Sequence, residues 1–193
     1  MKRKGVFLSI AVICLIFAAA PCAAQTPPSQ GVKYFLNIDG IKGESQEDQH
    51  KDWIEILSYA DGVSQGVNPA YSPRNMRSYM EPSIASVVIT KVVDISSPKL
   101  MEAACSGKHF NKVEIEVYHN EFKFWTVTLE DVVVTSVQAQ IPEALFTCAL
   151  APPAETVSLD FRAVEWTYTK QKPDGTAGGN VTAKWDLTKG KAQ

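Results

Sequence analysis

The chain has 193 residues, of which 45% are hydrophobic and 21% are charged, and its formal net charge at pH 7 is −2. This length suits a single globular domain that follows a short N-terminal segment. The mild acidity argues against a nucleic-acid partner, because a domain that binds nucleic acid normally carries a clustered basic face.

The N-terminus has the pattern of a secretory signal peptide. Residues 2–4 are basic, an apolar run follows over 6–20, and small residues at 22–24 precede Gln25. The apolar run is shorter than the roughly 20 residues that a transmembrane anchor needs, so cleavage is favoured over anchoring. We therefore predict a signal peptide over residues 1–24, a secreted or periplasmic product, and no membrane insertion after cleavage.

The predicted domain spans residues 32–190 and follows a polar, Pro-rich lead over 25–31 that should be disordered. Its first strand shows Tyr34, Leu36 and Ile38 in alternation. In the second strand Ile54 and Ile56 face one way, and the opposite face carries Trp53, Glu55, Leu57 and Tyr59. That strand is either buried on both sides or forms an interface on one, which makes Trp53 and Tyr59 candidates for contact between subunits.

Residues 63–83 are the least regular part of the chain and predict a long loop. Prolines interrupt the segment, and aromatic and arginine side chains, which buried interfaces favour, are interspersed. The interface interpretation makes candidates of four residues, Tyr71, Arg74, Arg77 and Tyr79. The alternative is a mobile surface excursion.

A single convincing helix is predicted between Ser97 and Gly107. Ser97 can cap the first free N–H groups, Pro98 suits the first helical position, and Gly107 can take the left-handed conformation that ends a helix. One face of this helix should dock on a sheet, and the apolar residues assigned to it are Leu100, Met101, Ala104 and Cys105.

The strands after the helix have a pattern typical of a curled antiparallel sheet. Val113, Ile115 and Val117 alternate with polar residues, and residues 119–121 predict a tight hairpin turn. The next strand breaks its alternation near Glu130 and Asp131, and a similar break precedes Val164, so a bulge or corner is expected in each. Two long, bent strands predict a mainly β domain that is barrel-like and antiparallel.

The sequence carries no convincing catalytic, cofactor or metal signature. His50, His109 and His119 are scattered without ligand spacing, and neither a nucleophile elbow nor a Gly-rich phosphate loop occurs. Glu47 and Asp48 beside His50 permit a weak adventitious cation site, but a solvated polar loop is favoured. We therefore predict a protein that is not an enzyme, with no cofactor.

Two cysteines remain after removal of the signal peptide, Cys105 and Cys148. An oxidising compartment permits them to form a disulfide. The alternative is a pair of small buried apolar side chains, and the sequence leaves both open because pairing depends on geometry.

Three ordered segments resemble the haemolysin-coregulated protein (Hcp) family, the tube subunit of bacterial type VI secretion systems. The first segment carries the residues Ile41, Lys42, Gly43, Glu44, Ser45, His50, Ile54, Gly62, Ser64 and Gln65. The second carries Thr90, Lys91, Asp94, Pro98, Leu100, Gly107, Lys108, His109 and Phe110. The third carries Val157, Leu159, Phe161, Tyr168, Gln171, Asp174, Gly175, Trp185 and Asp186.

The resemblance implies an antiparallel two-sheet β-barrel with one short flanking α-helix. It also implies a homohexameric ring that stacks into a tube, with sheath and spike proteins as partners and small effectors carried in the ring. The alternative function is an exported monomeric β-barrel that serves as a binding module or a small hydrolase.

Overall fold

The computed structural model describes residues 31–67, 79–140, 152–189 and 191–192. The predicted signal peptide over 1–24 and most of the predicted lead lie outside these residues, so both stay predictions.

The described chain is mainly β, with one helix among its elements. In chain order the elements are β1 Val32–Ile38, β2 Ile54–Ile56, β3 Ser58–Ala60, β4 Val63–Val67, β5 Tyr79–Ile84, β6 Val87–Val92, α1 Ser97–Ser106, β7 His109–His119, β8 Phe122–Gln140, β9 Ala154–Gln171, β10 Ala177–Asp186 and β11 Lys191–Ala192.

The strands form a nearly closed, antiparallel barrel. Strand β1 pairs with β2 on one side and with β7 on the other, and β7, β8 and β9 follow in order. The first part of β9 pairs with β6, and β6 pairs with β3, which directly follows β2 along the chain. The later part of β9 pairs instead with β10, which extends the sheet beyond the barrel. The predicted barrel-like fold with one flanking helix is confirmed.

The core consists of inward-facing branched side chains from the barrel strands and the helix. Among its fully buried members are Leu36, Ile54, Ile89, Leu100, Ile115, Leu129 and Leu159. Strands that alternate in this way bury one face and leave the other free for loops and partners.

The helix begins and ends close to the predicted positions, but its buried face differs. Pro98 lies in the first turn, and Gly107 ends the helix at φ 63°. The buried residues are Ser97, Leu100 and Ala103, and Ala104 packs against the core, whereas Met101 and Cys105 are exposed. The predicted apolar face was therefore right for Leu100 and Ala104 and wrong for Met101 and Cys105. The Ser97 side chain does not cap the helix, because its hydroxyl belongs to a buried polar network described below.

The predicted long loop over 63–83 is wrong at both of its ends. Strands β4 and β5 pair as an antiparallel ribbon, with Val63 opposite Ile84 and Gln65 opposite Pro82. A proline is tolerated there because each strand of a two-stranded ribbon is an edge strand, on which a missing N–H can face outward. The prediction missed this pairing because it took the prolines as signs of a loop.

The predicted face shared by Trp53, Glu55, Leu57 and Tyr59 holds only in part: Glu55 and Leu57 are exposed and line one cleft, but Tyr59 turns toward the core. The chain bends at Leu57, which is exposed, and it exchanges its partner β1 for β6 at this point. Tyr59 lies opposite Ile89 and packs against the core. The alternation of buried and exposed residues therefore shifts by one residue between β2 and β3. A sequence pattern read as one continuous strand could not show this shift.

The break in alternation near Asp131 is a corner without a bulge. Asp131 has a φ of 54°, and the buried positions on either side, Leu129 and Val132, are three residues apart. The pairing of β8 with β7 and with β9 keeps the same register before and after Asp131. The register shifts lie elsewhere, next to Val117 and next to Val134.

Candidate functional site

A loop over residues 43–53 folds onto the outer face of β1 and β7. The Gly43 N–H donates to the Asp52 carbonyl at 2.8 Å, and the Ser45 N–H donates to the Trp53 carbonyl at 3.1 Å. A Cβ atom on Gly43 would lie 2.3 Å from the Trp53 carbonyl oxygen, so this close approach requires glycine. The first segment of the family resemblance therefore builds a compact loop that covers the barrel wall.

His50 anchors this loop on the barrel. Its ring is 2% exposed, its Nε2 lies 2.8 Å from Glu116 Oε2 on β7, and its Nδ1 contacts the Glu47 carboxylate. The ring stacks on Phe35, with centroids 4.1 Å apart. The favoured prediction of a solvated polar loop at His50 was wrong, because the residue is buried. Its partner Glu116 is 66 positions away in sequence, beyond the reach of local patterns.

Glu116 is ionised in this cluster because three donors surround it. Burial alone would raise the pKa of the Glu116 carboxyl, but hydrogen bonds from His50, Lys123 and Tyr118 outweigh burial and hold that pKa below its usual range. Burial and the neighbouring Glu116 raise the pKa of the Tyr118 hydroxyl. The cluster therefore joins the loop, β7 and β8 by charge-assisted hydrogen bonds.

A second buried network joins the start of the helix to β6 and β9. Lys91 is fully buried, and its Nζ lies 2.8 Å from Glu155 Oε1 and 2.7 Å from Asp94 Oδ1. The Ser97 hydroxyl donates to Glu155 at 2.8 Å. A buried cation requires such anionic partners, so these residues fix the helix against the sheet. The sequence did indicate that Lys91 is buried, because Lys91 continues the alternation of the buried residues Val87 and Ile89 along β6.

A third network crosses β8, β9 and β10 and includes the buried carboxylate of Asp186. Arg162 donates to Asp186 at 2.9 Å and to Glu130 at 3.2 Å. Lys184 donates to Glu130 at 2.8 Å, and this contact lowers the pKa of the Glu130 carboxyl. The hydrogen bond that the Thr188 hydroxyl donates has the largest effect on Asp186, and it helps to lower the pKa of that carboxyl to about 2. The network stabilises the part of the sheet that extends past the barrel.

The predicted interface residues fall in different places. Trp53 is half-buried with its ring edge-on to His50, and Tyr59 is half-buried against the core, where burial raises the pKa of its hydroxyl. Tyr79 lies in β5. The remaining candidates, Tyr71, Arg74 and Arg77, lie outside the described residues. The interface role of the set therefore stays a prediction.

Of the two cysteines predicted to pair, only Cys105 is described, and it is exposed at the end of α1. Cys148 lies outside the described residues. The pairing therefore stays a prediction.

Exposed apolar side chains lie near the two ends of β9. Leu57, Val93 and Ile95 are exposed beside the start of β9, and Tyr168 and Val181 are exposed toward its other end. The exposure of Val93 and Ile95, just past the end of β6, could not be inferred from alternation. Exposed apolar groups of this kind mark surfaces for association.

In the part of the chain that the structure describes, no group of three or more His, Cys, Asp or Glu side chains could hold a metal ion. Within the same residues, no helix has the length and apolar character needed to cross a membrane.

Comparisons with known proteins match most of this chain. A family model described as "Type VI secretion system effector, Hcp" matches residues 35–168, which run from β1 to β9. Protein hcp1 of Pseudomonas aeruginosa is 29% identical over 163 residues, which are 81% of this chain and 95% of that protein. The major exported protein of the same organism is 28% identical over 149 residues, which are 72% of this chain and 80% of that protein.

Solved structures show the same fold. One described as a type six secretion system protein is 29% identical, with a TM-score of 0.76 and coverage of 83% of this chain and 99% of that one. Hcp1 from Salmonella typhimurium is 27% identical, with a TM-score of 0.67 and coverage of 84% and 99%. Since the family model spans well over half of the sequence and the barrel fold agrees with it, the chain belongs to the Hcp family of type VI secretion system proteins.

Proposed function

We propose that this chain is a structural, non-enzymatic subunit that assembles into homohexameric rings. The rings would stack into a tube of the type VI secretion system and carry small effector proteins, with sheath and spike proteins as partners. The observation that carries this proposal is the family match over residues 35–168, since it spans the barrel from β1 to β9. Family membership itself supports a secretion-tube and effector-carrier function and self-association in general.

The described surface supports an assembling subunit. The polar networks around His50 and Lys91 use their charged groups to fix loops and the helix in place. Exposed apolar side chains, by contrast, remain at Leu57, Ile95 and Val181. A rigid barrel with exposed apolar groups suits a subunit that binds copies of itself.

The native mass of the mature protein tests the ring. We expect a species near six protomers by native mass spectrometry, with subunits that separate when the protein is denatured. A clean monomer at high protein concentration would contradict the ring and favour the alternative of an exported monomeric binding module or small hydrolase.

Export by an N-terminal signal is part of the proposal. The basic start, the apolar run over 6–20 and the small residues before Gln25 support it. Sequencing the product recovered outside the cytoplasm should give an N-terminus at or near Gln25. Recovery of intact protein that starts at Met1 in the cytoplasm would contradict the export step while leaving the ring proposal intact.

A further inference from the structure

One end of the molecule carries a surface that is both apolar and acidic, defined by Leu57, Val93, Ile95 and Glu55. Leu57 and Ile95 are 58% and 57% exposed, and a cleft of about 250 Å³ opens between Leu57 and Val93. The Glu55 carboxylate lines this cleft, is exposed, and makes no ion pair with any described residue. We call this the acidic apolar surface.

The other end carries a surface of opposite charge, defined by Tyr168, Lys170 and Val181. Tyr168 and Val181 are cross-strand partners on β9 and β10, and they are 45% and 72% exposed. Lys170 lies two residues after Tyr168 on the same face of β9, is exposed, and forms no ion pair within the described ranges. We call this the basic aromatic surface.

The two surfaces lie beside different ends of β9 on one copy. Val93 donates its N–H to the Pro153 carbonyl at 2.9 Å, just before β9 begins at Ala154. Tyr168 lies near the far end of the same strand. At a rise of about 3.3 Å per residue, the strand between them spans at most roughly 45 Å, and the corner in β9 shortens this span. In one copy Leu57, Val93, Tyr168 and Val181 all remain exposed, so its own two surfaces do not cover each other.

We propose that the acidic apolar surface of one copy binds the basic aromatic surface of the next copy. Tyr168 and Val181 would cover the cleft beside Leu57, and Lys170 would pair with Glu55. Two different patches that meet in this way form a heterologous, head-to-tail contact, which links copies in series and closes into a ring when the rotation permits. The inference rests on the proposed self-association and names the two faces that produce it.

Zero-length cross-linking with a carbodiimide tests the contact directly, because it joins a carboxylate to an amine that already touch. An equal mixture of ¹⁵N-labelled and unlabelled protein is cross-linked and digested, and its peptides are analysed by mass spectrometry. We expect a Glu55–Lys170 cross-link, with about half of the linked pairs joining one labelled and one unlabelled peptide. That mixed-isotope half shows that the link joins two copies.

Single-residue variants test the direction and the apolar part of the contact. When labelled Glu55→Gln protein is mixed with unlabelled Lys170→Gln protein, every cross-link should join a labelled Lys170 peptide to an unlabelled Glu55 peptide. Leu57→Asp should lower the yield of the cross-link about tenfold, because it buries a charge in the contact. Met101→Asp, at an exposed apolar position on α1 outside both surfaces, should leave the yield unchanged.

The outcomes separate this inference from the proposed function. If the wild type forms oligomers and other inter-copy cross-links but none between Glu55 and Lys170, the assignment of the two surfaces is overturned and self-association stands. If the wild type is monomeric and shows no inter-copy cross-link, the assignment of the two surfaces and the proposed self-association are both overturned.

Discussion

The His50 imidazole lies parallel to the Phe35 ring, with an interplanar angle of 4° and centroids 4.1 Å apart. This stack and the contact with Glu116 hold the loop over 43–53 on the barrel. His50→Leu should therefore lower the free energy of unfolding by about 3 kcal/mol, because the buried Glu116 carboxylate loses a donor. Urea unfolding measures the loss.

Lys42→Ala provides the control for this prediction. Lys42 directly precedes this loop and pairs with Asp52 at 3.0 Å, but both side chains are well exposed. Its removal should change the unfolding free energy by less than about 1 kcal/mol. Equal effects of the two substitutions would show that His50 does not anchor the loop.

The Lys91–Glu155 pair should show strong thermodynamic coupling. Lys91→Met leaves a buried carboxylate without its cation and should cost about 3 to 5 kcal/mol. The double variant Lys91→Met/Glu155→Gln should recover much of this loss, because the uncompensated charge is gone. A double-mutant cycle by chemical denaturation measures the coupling, and additive losses would contradict it.

The ionised Asp186 carboxylate should stabilise the folded protein, and this stabilisation should be lost in acid. Its pKa in the folded protein is about 2, below the ordinary value of 3.8. The unfolded chain therefore takes up the proton first, so the stabilisation is complete above the ordinary value and is lost as the pH falls through the folded value. Asp186→Asn should remove this part of the acid dependence.

Thermal unfolding between pH 5 and 2 checks the prediction for Asp186. The stability difference between wild type and Asp186→Asn should shrink as the pH falls. Asp48→Asn, at an exposed loop position, serves as the control and should follow the wild type. A constant difference across the range would contradict the assignment.

The segment that contains Tyr71, Arg74 and Tyr79 is predicted to carry contacts between subunits. Changing all three to alanine should leave the barrel folded and weaken assembly, with each true hot spot costing about 2 kcal/mol or more. Sedimentation measures assembly, and circular dichroism checks the fold. If the triple variant assembles as tightly as wild type, Trp53 and its neighbours become the next candidates.

A Cys105–Cys148 disulfide would close a long loop and should stabilise the protein by roughly 3 to 4 kcal/mol in the chain-entropy model. Thiol counting under denaturing, non-reducing conditions decides whether it forms. The control is Cys105→Ser, which should expose one reactive thiol at Cys148. Two free thiols in the exported wild-type protein would show that the pair does not form.

Local signals predicted the fold where the structure is set by neighbouring residues. Pro98 and Gly107 marked the helix, and the hairpin at Asn120 and Glu121 has the positive φ values, 48° and 65°, that a tight turn requires. The helix face was predicted correctly at Leu100 and missed Ser97, because the Ser97 hydroxyl is buried by its hydrogen bond to Glu155, a partner distant in sequence.

The candidate site was harder to predict because its partners are distant in sequence. His50 meets Glu116 across 66 positions, and Lys91 meets Glu155 across 64. A buried position for Lys91 could be inferred from the alternation of β6, but the identity of its partner could not. The acidic apolar surface and the basic aromatic surface are exposed because of how the strands pair around them. The periodicity of a single strand does not reveal that pairing.

The corner at Asp131 also constrains how this barrel can change in length. Strands β7, β8 and β9 all change side-chain direction at this level while their pairing stays in register. Loss of Asp131 alone would restore alternation in β8 but would displace its pairing with both neighbours by one residue. A one-residue insertion or deletion in β8 at the corner should therefore destabilise the barrel unless β7 and β9 change with it.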